Sequence, residues 1–154
     1  MDYQLLKLIH ILSATIMIGT GLGSAFYLYF TYKLTKDKSE ITILKSVLSL
    51  VILADKIFTS PSVIIQLITG ILLSNKLNIT YTNWFYLVIT LSLLILVLWL
   101  KAVFIQLKFK KILEANGKIT IEFDRLMKIW FYIGIPSFLG AIYLYYLMVY
   151  KPFL

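Results

Sequence analysis

Four long apolar runs, each separated from the next by a cluster of charge, dominate the pattern of the 154-residue chain. Crossing the hydrocarbon of a bilayer as helix takes about 20 mostly apolar residues, and the stretches near 3–31, 46–75, 84–107 and 128–150 meet that length. The pattern predicts an all-α polytopic membrane protein, an antiparallel four-helix transmembrane bundle forming one domain over 1–154.

The runs differ in detail. The first proceeds without proline from Tyr3 to about Phe30 and ends in "YLYFTYK", an aromatic and lysine cluster suited to the headgroup boundary. The polar hairpin "KLTKDKSE" follows. The second run carries Asp55, Lys56 and Pro61, so it is expected as a half-helix joined at a kink to a second half. There the hydroxyls of Thr59, Ser60 and Ser62 would pair with backbone groups freed by Pro61. The loop "NKLNITYTN" leads to Trp84, expected as an interface anchor, and then to the plainest run of the four. "ILEANGKITIEFDRLMK" reads as a helix end, a turn at Asn116-Gly117 and an amphipathic return to the membrane. The fourth run has Pro136 in its middle among Gly134, Ser137, Gly140 and Ala141, small residues that let helices approach closely.

Composition agrees with the pattern. Hydrophobic residues make up 60% and charged residues 14% of the chain, with a mean hydropathy of +0.90, values that exclude an ordinary soluble globule. The net charge of +8 does not point to nucleic acid, because the lysines lie at the ends of apolar runs instead of along a stripe. Ten basic residues (Lys33, Lys36, Lys38, Lys45, Lys108, Lys110, Lys111, Lys118, Arg125 and Lys128) fall between runs one and two or three and four, against Lys7, Lys76 and Lys151 on the other side. The positive-inside rule then sets both termini outside the cytoplasm, in a bacterial inner membrane. The N-terminal run lacks a basic leader and a clear small-x-small cleavage site, so it is expected to stay as a span. The absence of cysteine excludes disulfides and thiolate chemistry.

Two constellations could carry chemistry. His10, the single histidine, shares a helix face with Ser13 or Ala14, Met17, Gly21 and Ser24 at alternating steps of three and four. One imidazole, one thioether and otherwise small residues suit a flat ligand. Haem b would fit, with His10 as axial ligand to the iron and methionine or lysine completing the sixth position. The alternative is a hydrogen-bonded or interface-seeking histidine, with Gly19 and Gly23 serving helix packing. The second constellation is Asp55 with Lys101, both expected on the cytoplasmic side of the midplane and close enough in depth to meet. They would form either a neutralising ion pair or a proton route and propionate anchor, with Lys56 reaching for the interface. Gln66, Gln106 and Thr69 would extend a polar path or cap neighbouring helices. No carboxylate pair, histidine cluster or serine-histidine-acid set supports hydrolysis or a multi-ligand metal site, and "GTGLG" follows no strand, so it is not a nucleotide loop.

The blocks "LLKLIHILSATIMIGTGLGSAF", "ADKIFTSPSVIIQLITGILL", "WLKAVFIQLK" and "WFYIGIPSFLGAIYLYYLMVYKP", in that order over nearly the whole chain, resemble the bacterial predicted integral membrane family of unknown function DUF2269. More distantly, "LKLIH" in run one, a proline before "ITGILL" in run two, Trp84 opening run three, and Pro136 ahead of a terminal "KPF" resemble the HemJ-type haem-containing protoporphyrinogen oxidases. That likeness implies a haem-binding role for His10. The matches at Pro61, Gly70, Trp84, Pro136, Lys151, Pro152 and Phe153 are structural in character. The chain departs from the HemJ pattern where that family has an arginine and a second histidine near the end of span one, here "FYLYFTYK", a lysine after the span-three tryptophan, here "WFYLVI", and an acid two places before the span-four proline, here Gly134.

Three functions follow as expectations. The first is haem b binding through His10 in electron transfer or a quinone-linked oxidation, with Met17, Gly21 and Lys101 beside the cofactor. The second is a HemJ-like oxidation of a porphyrinogen. The third is a non-catalytic assembly partner or small subunit, and the Gly19 to Gly23 face would also suit a homodimer.

Overall fold

A computed structural model describes residues 2–36 and 41–151. Lys38 and the second half of the hairpin after run one, together with Pro152 and Phe153, lie outside the described residues. Helices account for nearly all the rest: α1 Tyr3–Thr35, α2 Thr42–Ala54, a π-helical turn Asp55–Thr59, α3 Ser60–Lys76, α4 Asn83–Asn116 and α5 Ile121–Tyr150. Four helical spans are long and apolar enough to cross a membrane, with α2, the π turn and α3 counting as one. The fold is the all-α polytopic bundle that the hydrophobic pattern predicts.

Local chemistry sets the boundaries. The side chains of Asp2, Thr82 and Thr120 accept hydrogen bonds from the backbone N–H groups of Gln4, Phe85 and Phe123, each at 3.2 Å, satisfying donors that the first turns of α1, α4 and α5 leave free. Gly117 ends α4 with a φ of 62°, and its N–H donates to the Leu113 carbonyl. The helices run beyond the apolar stretches. At about 1.5 Å per residue, the 34-residue α4 is roughly 50 Å long against about 30 Å of hydrocarbon. Its basic end projects past the bilayer core.

Pro61 makes no sharp break. It follows closely on the π turn within one continuous helix, Thr42–Lys76. The change of path falls just before it, in the π turn, whose wider loop lets the Ser60 N–H reach the Asp55 carbonyl. The expected hydroxyl repair is only partly made. Ser60 Oγ donates to the Asp55 carbonyl at 2.9 Å, whereas Thr59 donates to the Asp55 side chain.

The helices pack as two antiparallel units, α1 on α2–α3 and α4 on α5. The units join at the lysine-rich end, where α2 meets α4 and α1 meets α5, while α3 has no substantial contact with either α4 or α5. A core of Leu28, Tyr32, Leu44, Leu48, Ile105, Phe109, Leu113, Phe123, Met127 and Trp130 fills that joint. Tyr29 stacks on Phe131 with ring centres 4.2 Å apart. Toward the termini α3 makes no substantial contact with α4 or α5, and the open side between the two units there is the cleft. A smaller cluster of Trp84, Val88 and Leu147 holds α4 to α5 there. Trp84 is therefore not an interface anchor. It is 4% exposed, and its indole N–H donates at 2.8 Å to the Leu147 carbonyl, one of the last-turn acceptors that α5 leaves unpaired. Leucines and aromatics such as Leu22, Phe26, Leu94 and Phe104 stay exposed because their solvent is lipid.

The glycines divide by what faces them. A Cβ at Gly140 would stand 3.0 Å from the Ile95 side chain, so this glycine sets the approach of α4 and α5. Gly140→Val is expected to cost about 1–3 kcal/mol in detergent unfolding titrations. At Gly19, Gly21 and Gly23 a Cβ would meet nothing within 4 Å. The same titration should find Gly21→Ala neutral or slightly stabilising, by up to about 1 kcal/mol of helix propensity.

A polar clip closes the joint. The Tyr32 hydroxyl donates to Asp124 at 2.8 Å, and Lys36 Nζ lies 3.3 Å from the other carboxylate oxygen. The Tyr32 hydroxyl, and after it Asp124, hold the Lys36 ammonium above the ordinary lysine range. A raised folded value means that the ion pair is intact at neutral pH and is lost as pH rises through that value. Asp124→Ala leaves the hydroxyl of buried Tyr32 without its acceptor and should cost about 1 kcal/mol. A thermal-melt series in detergent would show the wild-type advantage flat near neutrality and shrinking at strongly alkaline pH.

Candidate functional site

His10 lies two turns from the start of α1, half-buried against α3. Its ring is tied down by hydroxyl chemistry. His10 Nδ1 stands 2.7 Å from Thr69 Oγ1, and that hydroxyl spends its single proton on the Ile65 carbonyl at 2.6 Å. With that proton on Ile65, Thr69 accepts from the imidazole; we assign His10 on this basis as the tautomer with the proton on Nδ1 and the lone pair on Nε2. Among the described residues no group hydrogen-bonds to Nε2. Backbone contacts fix the rest: Gln66 Nε2 donates to the His10 carbonyl and, at 2.7 Å, to Ser13 Oγ. Ser13 in turn donates to the same His10 carbonyl at 3.0 Å. Gly70 lies beside the ring, where a Cβ would make ordinary contact at 3.5 Å from His10 Cε1.

Helical periodicity gives the direction of this face. On α1 the residues toward α3, such as Leu6 and Ser13, and those toward α5, Tyr29 and Tyr32, flank a strip that holds His10, Met17 and Gly21. That strip borders the cleft. Gly21 is exposed, and neither it nor Gly134 on α5 has anything within 4 Å of where a Cβ would stand. Met17 is half-buried, two turns and about 10 Å along the same helix from His10. It shares the cleft wall with the imidazole.

Lys101 does not belong to this group. It is exposed on α4 and forms no ion pair among the described residues, so the expected meeting with Asp55 does not occur. The reason is the parting of the units. α4 packs on α2 but leaves α3, and Lys101 is exposed while Ile105 and Gln106 of the same helix are buried in the joint. Its long side chain is free to extend toward the interface, as is that of exposed Lys56.

Asp55 sits instead in a buried layer at the top of the joint. Thr59 Oγ1 donates to Asp55 Oδ1 at 2.8 Å, and the Gln106 side chain of α4 lies against the carboxyl. Gln106 Oε1 and Trp130 Nε1, both buried, have no hydrogen-bond partner among the described residues. Sequence reasoning put Gln106 on a polar path from Asp55 together with Gln66 and Thr69, which instead bond to His10 and Ser13, and it missed Trp130 and the π turn. The available signal was the antiparallel register that two helical hairpins impose.

Known proteins narrow the class. A family model described as a predicted integral membrane protein, DUF2269, matches residues 4–152. The chain belongs to this family. No curated protein and no solved structure matches it. For this DUF2269 chain the match agrees with four apolar spans and with a lipid bilayer as surroundings, while the HemJ likeness rests on the motifs in the sequence alone. Within the DUF2269 fold seen here, His10 and Asp55 occupy separate layers, one on the cleft wall and one in the joint beneath it.

Proposed function

We propose that this membrane protein binds haem b in the cleft between its two helical units, with His10 Nε2 as the axial nitrogen, and serves electron transfer or a quinone-linked oxidation. One observation carries the reading: Thr69 holds the proton on Nδ1 and leaves the Nε2 lone pair unused. An axial histidine needs that arrangement, because the hydrogen bond from its second nitrogen fixes the tautomer and ring orientation and raises ligand basicity. The chain's residues fit the group on this side. Gly21 and Gly134 leave room, Met17 offers a soft apolar wall, and Gln66 with Ser13 anchors the backbone that carries the ligand. When bound, haem would supply a one-electron iron couple. Access through the bilayer would suit an apolar carrier of the quinone class. The lysine-rich joint, read by the positive-inside rule, supports an orientation with the cleft toward the outer face of a bacterial inner membrane.

The test is an absorption spectrum of the purified full chain, as isolated and after incubation with haem, oxidised and dithionite-reduced. A Soret band with sharpened bands on reduction is expected. A chain that is folded, yet carries no haem and takes none up, would remove the proposal and favour the reading as a non-catalytic assembly partner.

A further inference from the structure

We propose that Asp55 is a proton-binding site inside the membrane-spanning joint, held there as a neutral carboxylic acid that exchanges its proton. This does not depend on the haem reading. Asp55 is 7% exposed, and it opens the π turn, a wide helical turn of the kind that often marks functional positions. Its surroundings offer hydrogen bonds but no countercharge. Thr59 supplies one hydroxyl donor at 2.8 Å from the same turn. From α1 the antiparallel register set by His10 with Thr69 and Ser13 with Gln66 brings up Ser24, while the nearest titratable side chains there, Tyr27 and Tyr29, lie on lipid and on Phe131. α3 contributes none before Lys76 at its far end, and the charged neighbours Lys56 and Lys101 are both exposed. No cation lies within 4 Å of the carboxyl among the described residues.

The partner on α4 completes the argument. Gln106 is 4% exposed and its side chain hydrogen-bonds the Asp55 carboxyl, while its Oε1 has no donor among the described residues. A carboxylate would bring to this layer a buried charge and another acceptor. A carboxylic acid removes the charge and adds a donor to a layer that holds an unpaired acceptor. The stoichiometry is one proton taken up by one carboxylate, with no other bond made or broken.

Infrared difference spectroscopy on the full chain in liposomes tests this directly. At neutral pH, where exposed carboxyls are ionised, we expect one carboxylic-acid C=O band that shifts in deuterated water, is lost in Asp55→Asn and is retained in Asp124→Asn. A folded wild type with no such band, or a band that survives Asp55→Asn, overturns the proposal. Should Asp55→Asn fail to fold, Thr59→Val serves. Loss of the hydroxyl bond to the carbonyl should move the band to higher frequency, and an unmoved band counts against Asp55. Sodium gives a further arm: thermal stability that rises with sodium at constant ionic strength would mean a metal cation, not a proton, occupies the site.

Discussion

In haem-loaded protein, His10→Ala will remove the Soret band, and Thr69→Val will weaken haem binding by about 10–100-fold while leaving a spectrum of the same form. The gradation follows from what each side chain does. Alanine at position 10 deletes the only imidazole nitrogen in the chain, so no other residue can take its place with the same ligand chemistry. Valine at position 69 keeps the volume but removes the oxygen that lies 2.7 Å from His10 Nδ1. The imidazole can then turn over or shift its proton, and Nε2 is no longer held as the free base. Thr69→Ser restores the acceptor and should recover most of the affinity. Haem titration of the detergent-purified variants measures all three. Equal affinity in Thr69→Val and wild type would show that the Thr69 contact is packing alone, even if haem binds. Haem retained by His10→Ala would show that the cofactor sits elsewhere.

Phe109→Ala is expected to destabilise the joint by about 3 kcal/mol, the lower part of the range for emptying a buried aromatic site. Phe109 is fully buried, with its ring centre 4.6 Å from that of Phe123 and 6.4 Å from that of Trp130. It belongs to the one core shared by α1, α2, α4 and α5. In lipid the transfer part of the usual penalty shrinks, because acyl chains are as apolar as the core. The loss of close contact and the remaining cavity persist. Leu94→Ala, on a side chain 56% exposed to lipid, removes a similar apolar group without emptying a packed site and should be close to neutral. Unfolding in mixed micelles with an increasing share of denaturing detergent compares the two. Similar costs for Phe109→Ala and Leu94→Ala would mean that the joint is not the main tie between the helical units.

The spans were legible because lipid imposes a simple rule: every backbone group must be paired within its own segment, so an apolar run of sufficient length is a helix whatever its neighbours do. The charge clusters that separate the runs were legible for the same reason. His10 stood out as a polar group in an apolar run, and its face with Met17 and Gly21 followed from periodicity alone. What periodicity lacks is the relation between helices. Asp55 and Lys101 matched in depth, yet depth says nothing of azimuth, and Lys101 is exposed while Gln106 of the same helix is buried beside Asp55. Trp84 looked like an interface residue because tryptophan favours that zone. The free carbonyl of Leu147, brought near by the return of α5, gave its indole a better partner.

By itself the sequence determined the class, the number of spans and the identity of the one imidazole, since hydropathy and residue chemistry are properties of single segments. Only the tertiary structure decided which nitrogen of His10 is free, that the Gly19 to Gly23 face is open instead of packed within the chain, and that Asp55 faces an amide instead of a lysine. Those outcomes depend on register and on the angle between two helical units, and register is set by the sum of many contacts across helices that no single segment contains.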